Sequence, residues 1–334
     1  MSKIDLDAEL EAAIVAVRDA ATVCQSVQKN LVTAATLEKK DQSPVTVADF
    51  ASQALVCSSL AKSSKISGVV GEEDAAELRE QGAEATRDKV VEHVRGVRGA
   101  GVSAEQALDW IDLGGLTPKG TEQPYWTLDP IDGTKGFLRG EQYAIALGLI
   151  ENGRVVLGVL GCPNLLGPDG KPGCLMAAVR GRGARALPLS GRGQDGAAAI
   201  RVSDITDAAL ARFCESVESG HSDQDQSAQI AKALRITAEP IRVDSQAKYA
   251  IVARGEAQIY LRLPTRKDYR EKIWDHAAGM IVVEEAGGRV TDVRGHALDF
   301  AHGRKLTNNS GVIATNGKIH DAVLAAVARF VDVS

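Results

Sequence analysis

The sequence predicts a layered α+β / α/β protein in two halves, and three observations carry the prediction. Leu6, Leu10, Ile14, Val17, Ala21, Cys24 and Leu31 recur at three- and four-residue steps, which keeps one face of an N-terminal helix apolar. Apolar runs at 144–150, 155–160 and 175–179, the first two joined through Asn152-Gly153, predict antiparallel strands in a meandering sheet. Further on, helix and strand patterns alternate, as in a mixed α/β layer. A chain of 334 residues accommodates about two domains, each with its own core. The Gly- and Arg-rich stretch 181–199 puts the boundary near residue 195, dividing the chain into 1–195 and 196–334.

After the first helix comes a polar stretch, and Ser43-Pro44 is expected to open a short strand at 45–47 that leads through Asp49 into a helix ending near Lys62. The run 66–70 reads as a strand delivering Gly71-Glu72-Glu73-Asp74. Residues 75–123 are polar and Gly-rich, a helical excursion whose strand signal is confined to Trp110-Ile111. Trp126-Thr127-Leu128 is a buried strand that Pro130 should break, because proline cannot donate to a ladder and keeps Asp129 out of the helical region. In the second half, strands are expected at 213–217, 240–243, 258–263 and 289–292. Helices are expected at 227–234, 246–254 and from near Ile273, the last ended by Gly287-Gly288.

Composition narrows the functions. Hydrophobic residues at 44% and charged residues at 25% are those of an ordinary globular protein. A net charge of −5 disfavours binding to a nucleic acid polymer, which requires a basic surface. No run of apolar residues is long enough to span a membrane. The acidic N-terminus lacks the apolar core of a secretory signal, so the expected location is cytoplasmic, or organellar if a leader has been removed. Five cysteines without a CxxC pair suit free thiols in a reducing compartment. Cys162 and Cys174 flank a Pro/Gly-rich loop between two strands that should pair; they are either two core thiols or, if brought opposite each other, a reversible disulfide.

The stretch 126–140 carries the chemistry. Asp129 and Asp132 stand three residues apart across Pro130, followed by Gly133, free to take a positive φ, and the hydroxyl of Thr134. They either cap a turn or, with free carbonyls, hold hard cations, which prefer oxygen ligands. Other acids sit at element ends: Asp49, Glu72, and Asp275 in Trp274-Asp275-His276-Ala277-Ala278-Gly279. Singly, Asp275 could be a helix cap and Glu72 a solvated loop charge.

Taken in order, Gly-Glu-Glu-Asp, Trp-x-Leu-Asp-Pro-Ile-Asp-Gly-Thr and Trp-Asp-His-Ala-Ala-Gly resemble the lithium-sensitive, magnesium-dependent superfamily of inositol monophosphatases and fructose-1,6-bisphosphatases. The segments 43–49, 136–143, 244–249 and 269–276 are further similar to the 3′(2′),5′-bisphosphate nucleotidases. The resemblance runs from the first helix to about Asn316 and is weakest at 75–123 and 165–200. It implies an α-β-α-β-α sandwich of the inositol monophosphatase / fructose-1,6-bisphosphatase type. It also implies two or three Mg²⁺ ions held by Glu72, Asp129, Asp132, Asp275 and the carbonyl of Ile131, which would clamp the oxygens of an in-line displacement.

By the same resemblance Asp49 and Thr134 would orient and deprotonate the attacking water, while Gly133, Thr134, His221, Ser245, Lys248 and Arg262 would hold the substrate. That substrate would be a small bisphosphate nucleotide, adenosine 3′,5′-bisphosphate going to AMP, and the enzyme would be inhibited by lithium. The alternatives are an inositol polyphosphate 1-phosphatase or dual-substrate enzyme, and a sensor that binds the ligand without turnover. Apart from the resemblance, a monomer is the expected oligomeric state.

Overall fold

The computed structural model describes residues 4–31, 43–66, 68–217, 224–264, 266 and 269–331. Helices α1 (Leu6–Leu31) and α2 (Ser43–Ser63) lead into β1 (Val69–Gly71), then α3 (Ala76–Arg79), α4 (Glu84–Arg98) and α5 (Ala104–Asp112). Strand β2 (Tyr125–Asp132) and the short α6 (Thr134–Leu138) precede a meander of β3 (Ala144–Glu151), β4 (Arg154–Leu166), β5 (Pro172–Val179), β6 (Ala184–Pro188) and β7 (Ala198–Ile200). The second half contains β8 (Phe213–Glu215), α7 (Gln224–Ala233), β9 (Ile241–Arg242), α8 (Ala247–Ala253) and β10 (Ile259–Arg262). It is completed by α9 (Ala277–Glu285), β11 (Arg289–Thr291), β12 (Val312–Thr315) and α10 (His320–Val327).

Among the described residues these form a seven-stranded sheet in the order β1 to β7 and a five-stranded sheet in the order β11-β12-β10-β8-β9. Helices α1 and α2 cover one face of the larger sheet, α8 and α9 lie between the sheets, and α7 and α10 close the far side. The result is the expected α-β-α-β-α sandwich. Its alternation is legible along β4: Leu157 and Val159 enter the core under α1 and α2, whereas Leu160 and Cys162 enter the core around α8 and α9. Both faces are dry, so the strands read as continuous apolar runs. At the β3–β4 turn Asn152 and Gly153 take φ of 52° and 71°, the left-handed pair of a two-residue hairpin turn.

Three sequence expectations fail locally. Residues 45–47 are not a strand but the first turn of α2. Pro44 suits that position, where its missing N–H is harmless and its fixed φ is helical, and burial of Val45 and Val47 overrides their β-branched preference. Trp110-Ile111 lies in α5, where Ala107, Leu108 and Ile111 form a buried helical face and the Ser103 hydroxyl accepts the Gln106 N–H at 3.1 Å as N-cap. Pro130 does not end β2 but sits within a bulge. The weak sequence at 184–200 adds β6 and β7, so the larger sheet runs just past residue 195. Cys162 and Cys174 are register partners across β4 and β5, and both are buried free thiols.

Close packing of α9 against the larger sheet brings the second half of the chain up to the end of β2. A Cβ on Gly158 would strike Ile281 and come within 2.9 Å of the Ala278 carbonyl, and one on Gly148 would meet Ala277 Cβ at 3.0 Å. On the opposite side of α9, a Cβ on Gly279 would run into the Tyr249 ring. Gly279→Ala is therefore expected to destabilise the protein by about 1–3 kcal/mol through overpacking, measured by denaturant or thermal unfolding. Gly101→Ala, whose Cβ would meet nothing within 4 Å, is the matched control; equal stability of the two variants would refute the packing argument.

Candidate active site: a cleft lined by acids

Strands β1 and β2 run parallel with Gly71 opposite Leu128, so Glu72 leaves β1 level with Asp129 on β2. In a regular strand Asp129 and Asp132, an odd number of residues apart, would point to opposite faces. Here Asp129 pairs with Ala146 and Asp132 with Ala144, so three steps on β2 match two on β3. The extra residue is a bulge, which returns both carboxylates to one side. Pro130 supplies no N–H to lose there, and its carbonyl accepts the Ser52 hydroxyl of α2 at 2.9 Å. Gly133 follows with φ 89°, and a Cβ on it would lie 2.8 Å from Ser245 Cβ. No other residue type fits that conformation and that approach without strain.

The second half closes the cleft. Ser245 itself takes φ 70° just before α8, with its hydroxyl accepting the Ala247 N–H at 3.1 Å. Asp132 accepts the backbone N–H of Gln246, and the Gln246 side chain donates to the Trp274 carbonyl at 2.9 Å. Asp275 lies in the turn ahead of α9, which begins at Ala277 rather than near Ile273. Arg139, at the end of α6, ion-pairs with the buried Asp244, which also accepts the Val217 N–H at 3.2 Å. The string 136–143 thus ties the two halves together.

The cleft so formed encloses about 380 Å³ and is lined by Glu72, Asp129, Ile131, Asp132, Gly133 and Thr134 on one side and Ser245, Lys248, Arg262 and Asp275 on the other. Lys135, Leu138, Ser216, Asp244 and Tyr260 also line it. The acid-bearing motifs carry no signal for Ser216 or Tyr260, whose places in the wall are set by β8 and β10 of the second sheet. Asp49 is buried on α2 behind this wall, where its charge is felt by Asp129. His221 falls outside the described residues. A larger groove of about 790 Å³, along 116–125, has only Glu122 among its lining acids.

Burial and like charge act together on the acids. Asp129 is raised well above the usual carboxylate range by desolvation, then by Glu72, Asp132, Asp275 and Asp49. Glu72 is pushed up to about 7 by desolvation and by Asp275, Glu73 and Asp132, with a hydrogen bond shared with Asp129 giving partial relief. Desolvation also raises Asp275 to about 6, against the pull of Arg262 and His276. Asp49 is raised by desolvation, Glu73 and Glu72. Asp129 Oδ1 is buried without a hydrogen-bond partner. Acids that repel one another, one with an orphaned oxygen, are a donor set suited to a hard divalent cation.

Glu271, Asp275 and His276 also approach one another closely enough to share an ion. The valences of Glu271 and His276 are otherwise engaged: His276 Nδ1 meets the Tyr249 hydroxyl at 2.7 Å, His276 Nε2 meets Glu271 Oε2 at 3.2 Å, and Arg262 Nε donates to Glu271 Oε2 at 2.8 Å. Glu271 is accordingly held down at about 2 despite its burial, chiefly by His276 and Arg262. Glu271, itself held by His276, thus anchors Arg262, which reaches on to Asp275 Oδ2 at 3.8 Å. Across the cleft the buried Lys248 lies 5.3 Å from the Tyr260 ring centroid and 3.4 Å from the Val243 carbonyl, and burial lowers its pKa.

The inositol monophosphatase family profile matches residues 5–332. A 3′(2′),5′-bisphosphate nucleotidase of Oryza sativa is 48% identical over 96% of this chain and 93% of its own length. One from Schizosaccharomyces pombe is 44% identical over 97% and 96%. Among solved structures, an inositol monophosphatase from Anabaena superposes with a TM-score of 0.62 at 22% identity, covering 98% of each chain. CysQ from Bacteroides thetaiotaomicron gives 0.61 at 21% identity over 94% of this chain and 98% of that one. Sheet order, acid-lined cleft and near-complete matches agree: this chain belongs to the inositol monophosphatase family.

Proposed function

We propose that the chain is a Mg²⁺-dependent 3′(2′),5′-bisphosphate nucleotidase that hydrolyses adenosine 3′,5′-bisphosphate to AMP and phosphate. The observation that carries the reading is the bulge in β2, which turns Asp129 and Asp132 into one cleft with Glu72 and Asp275, opposite Lys248 and Arg262. The near full-length relatives that bear this activity in their names support the nucleotide over an inositol polyphosphate.

Glu72, Asp129, Asp132, Asp275 and the carbonyl of Ile131 are the proposed holders of two or three Mg²⁺. When bound, these ions supply charge neutralisation at the transferring phosphoryl group and a more acidic water. The protein's residues do the rest. Asp49 and Thr134 are the proposed orienting and deprotonating pair. Gly133 and Thr134 are the proposed contacts of the scissile phosphate, and Ser245, Lys248, Arg262 and His221 the proposed contacts of the nucleotide and its remaining phosphate. Arg262 is pre-aimed by Glu271, and Lys248 is a buried cation beside an aromatic ring. In this division, residues up to about 195 bring most of the acids and residues 196–334 bring Asp275 and the substrate contacts. Retention of Thr134 with the full acid set favours turnover over sensing. A monomer is the proposed state: among the described residues the exposed large apolar side chains, Val15, Leu113, Leu166, Leu210 and Val217, sit on separate segments.

Phosphate release from adenosine 3′,5′-bisphosphate is expected to require Mg²⁺, to exceed release from inositol 1,4-bisphosphate, and to fall roughly a hundredfold or more in Asp129→Asn. Release from the inositol compound alone would overturn the substrate assignment. Millimolar Li⁺ is expected to inhibit, and undiminished activity in its presence would count against a loosely held hard-cation site. A third expectation comes from Glu72 at about 7 and Asp275 at about 6. Below those values a cation must displace protons, so the Mg²⁺ concentration for half-saturation should fall as pH rises from 5.5 to 8. Calorimetry in buffers of different ionisation enthalpy reads the released protons; no release at pH 6 would contradict the assignment.

A further inference from the structure

Arg304 belongs to none of the acid-bearing strings, yet it touches the segments on both sides of the cleft. Its Nη2 donates to the Gly71 carbonyl at 2.6 Å, immediately before Glu72, and its Nη1 donates to the Leu116 carbonyl at 3.4 Å. The guanidinium lies 4.6 Å from the centroid of the Trp274 ring, immediately before Asp275. The backbone repeats the link: Ile273 N–H donates to the Arg304 carbonyl at 3.2 Å, and Leu306 N–H to the Glu271 carbonyl at 2.9 Å.

The far side of Glu72 is pinned independently. Buried Gln53 of α2, one turn after Asp49, accepts the Glu73 N–H at 3.1 Å and donates to the Glu73 carbonyl at 2.6 Å. The residue before Glu72 is thus tied to the Asp275 segment and the residue after it to α2. A planar guanidinium can bond two carbonyls from a fixed fork while its face stacks on an indole; a lysine ammonium is a point charge with neither the fork nor the face.

The geometry points to Arg304 as a positioning residue that sets Glu72 against Asp275 and so preorganises the cation site before substrate arrives. The inference rests on the proposed metal-holding role of those acids. Its test is Ca²⁺ titration of substrate-free protein by calorimetry for wild type, Asp129→Asn, Arg304→Lys and Arg304→Ala, with melting curves and kinetics alongside.

Groups that orient metal ligands are typically worth 10- to 100-fold in affinity, so Arg304→Ala is expected to weaken Ca²⁺ binding roughly tenfold or more. Arg304→Lys, keeping the charge but losing the fork, should fall between Arg304→Ala and wild type. Melting should remain cooperative, and KM for adenosine 3′,5′-bisphosphate at saturating Mg²⁺ should stay near that of wild type while the Mg²⁺ requirement rises. Wild-type Ca²⁺ affinity in a folded Arg304→Ala variant would overturn the inference. If that variant does not fold, wild-type affinity in Arg304→Lys overturns it equally. If wild type binds no Ca²⁺ that Asp129→Asn removes, the metal reading itself fails, and the role of Arg304 falls with it.

Discussion

Between Glu72, Asp129, Asp132 and Asp275, Coulomb repulsion and desolvation act in the same direction, and the fold must hold these carboxyls in place against both. It does so with backbone rather than with counter-charges. Glu72 and Asp129 are fixed by parallel pairing of β1 and β2, Asp132 by a bulge and the Gln246 N–H, and Asp275 by a turn at the head of a tightly packed helix. Among the described residues Arg262 is the cation that reaches Asp275, and Glu271 holds it more closely. The site is left short of positive charge, which is the condition under which a divalent cation binds with most to gain.

The same demand explains features away from the cleft. Helix α9 can present Asp275 to the end of β2 only because Gly148 and Gly158 let it approach the sheet and Gly279 lets Tyr249 pack against it. Tyr249 in turn meets His276, which meets Glu271, which aims Arg262. Packing in the middle layer and orientation of the substrate-facing cation are therefore one continuous arrangement. The contact between Gly133 and Ser245 joins the two halves at the point where the acids end and the proposed nucleotide contacts begin.

Much of this was legible in the sequence because long apolar periodicity and rigid turn chemistry leave few alternatives. Helix α1 and the β3–β4 hairpin are dictated by spacing and by Asn-Gly, and the acids stood out as strings at element ends. What was hidden depended on partners far along the chain. The Val-Thr-Val run became helix because α2 buries it, and β6 and β7 are short runs, Ala-Arg-Ala-Leu-Pro and Ala-Ala-Ile, too brief for an apolar alternation to stand out. The bulge at Pro130 could be anticipated as a break but not as a device that realigns Asp129 with Asp132. Tyr260 and Arg304 reach the site through the second sheet and a late loop, so no local pattern announces them.

The most direct measurement is the anomalous difference density of crystals grown with Mn²⁺ in place of Mg²⁺. If the repelling acids exist to hold cations, peaks should lie in the cleft, each bonded to oxygens drawn from Glu72, Asp129, Asp132, Asp275 and the Ile131 carbonyl. An empty cleft, or a single ion at Glu271 and His276 instead, would contradict it.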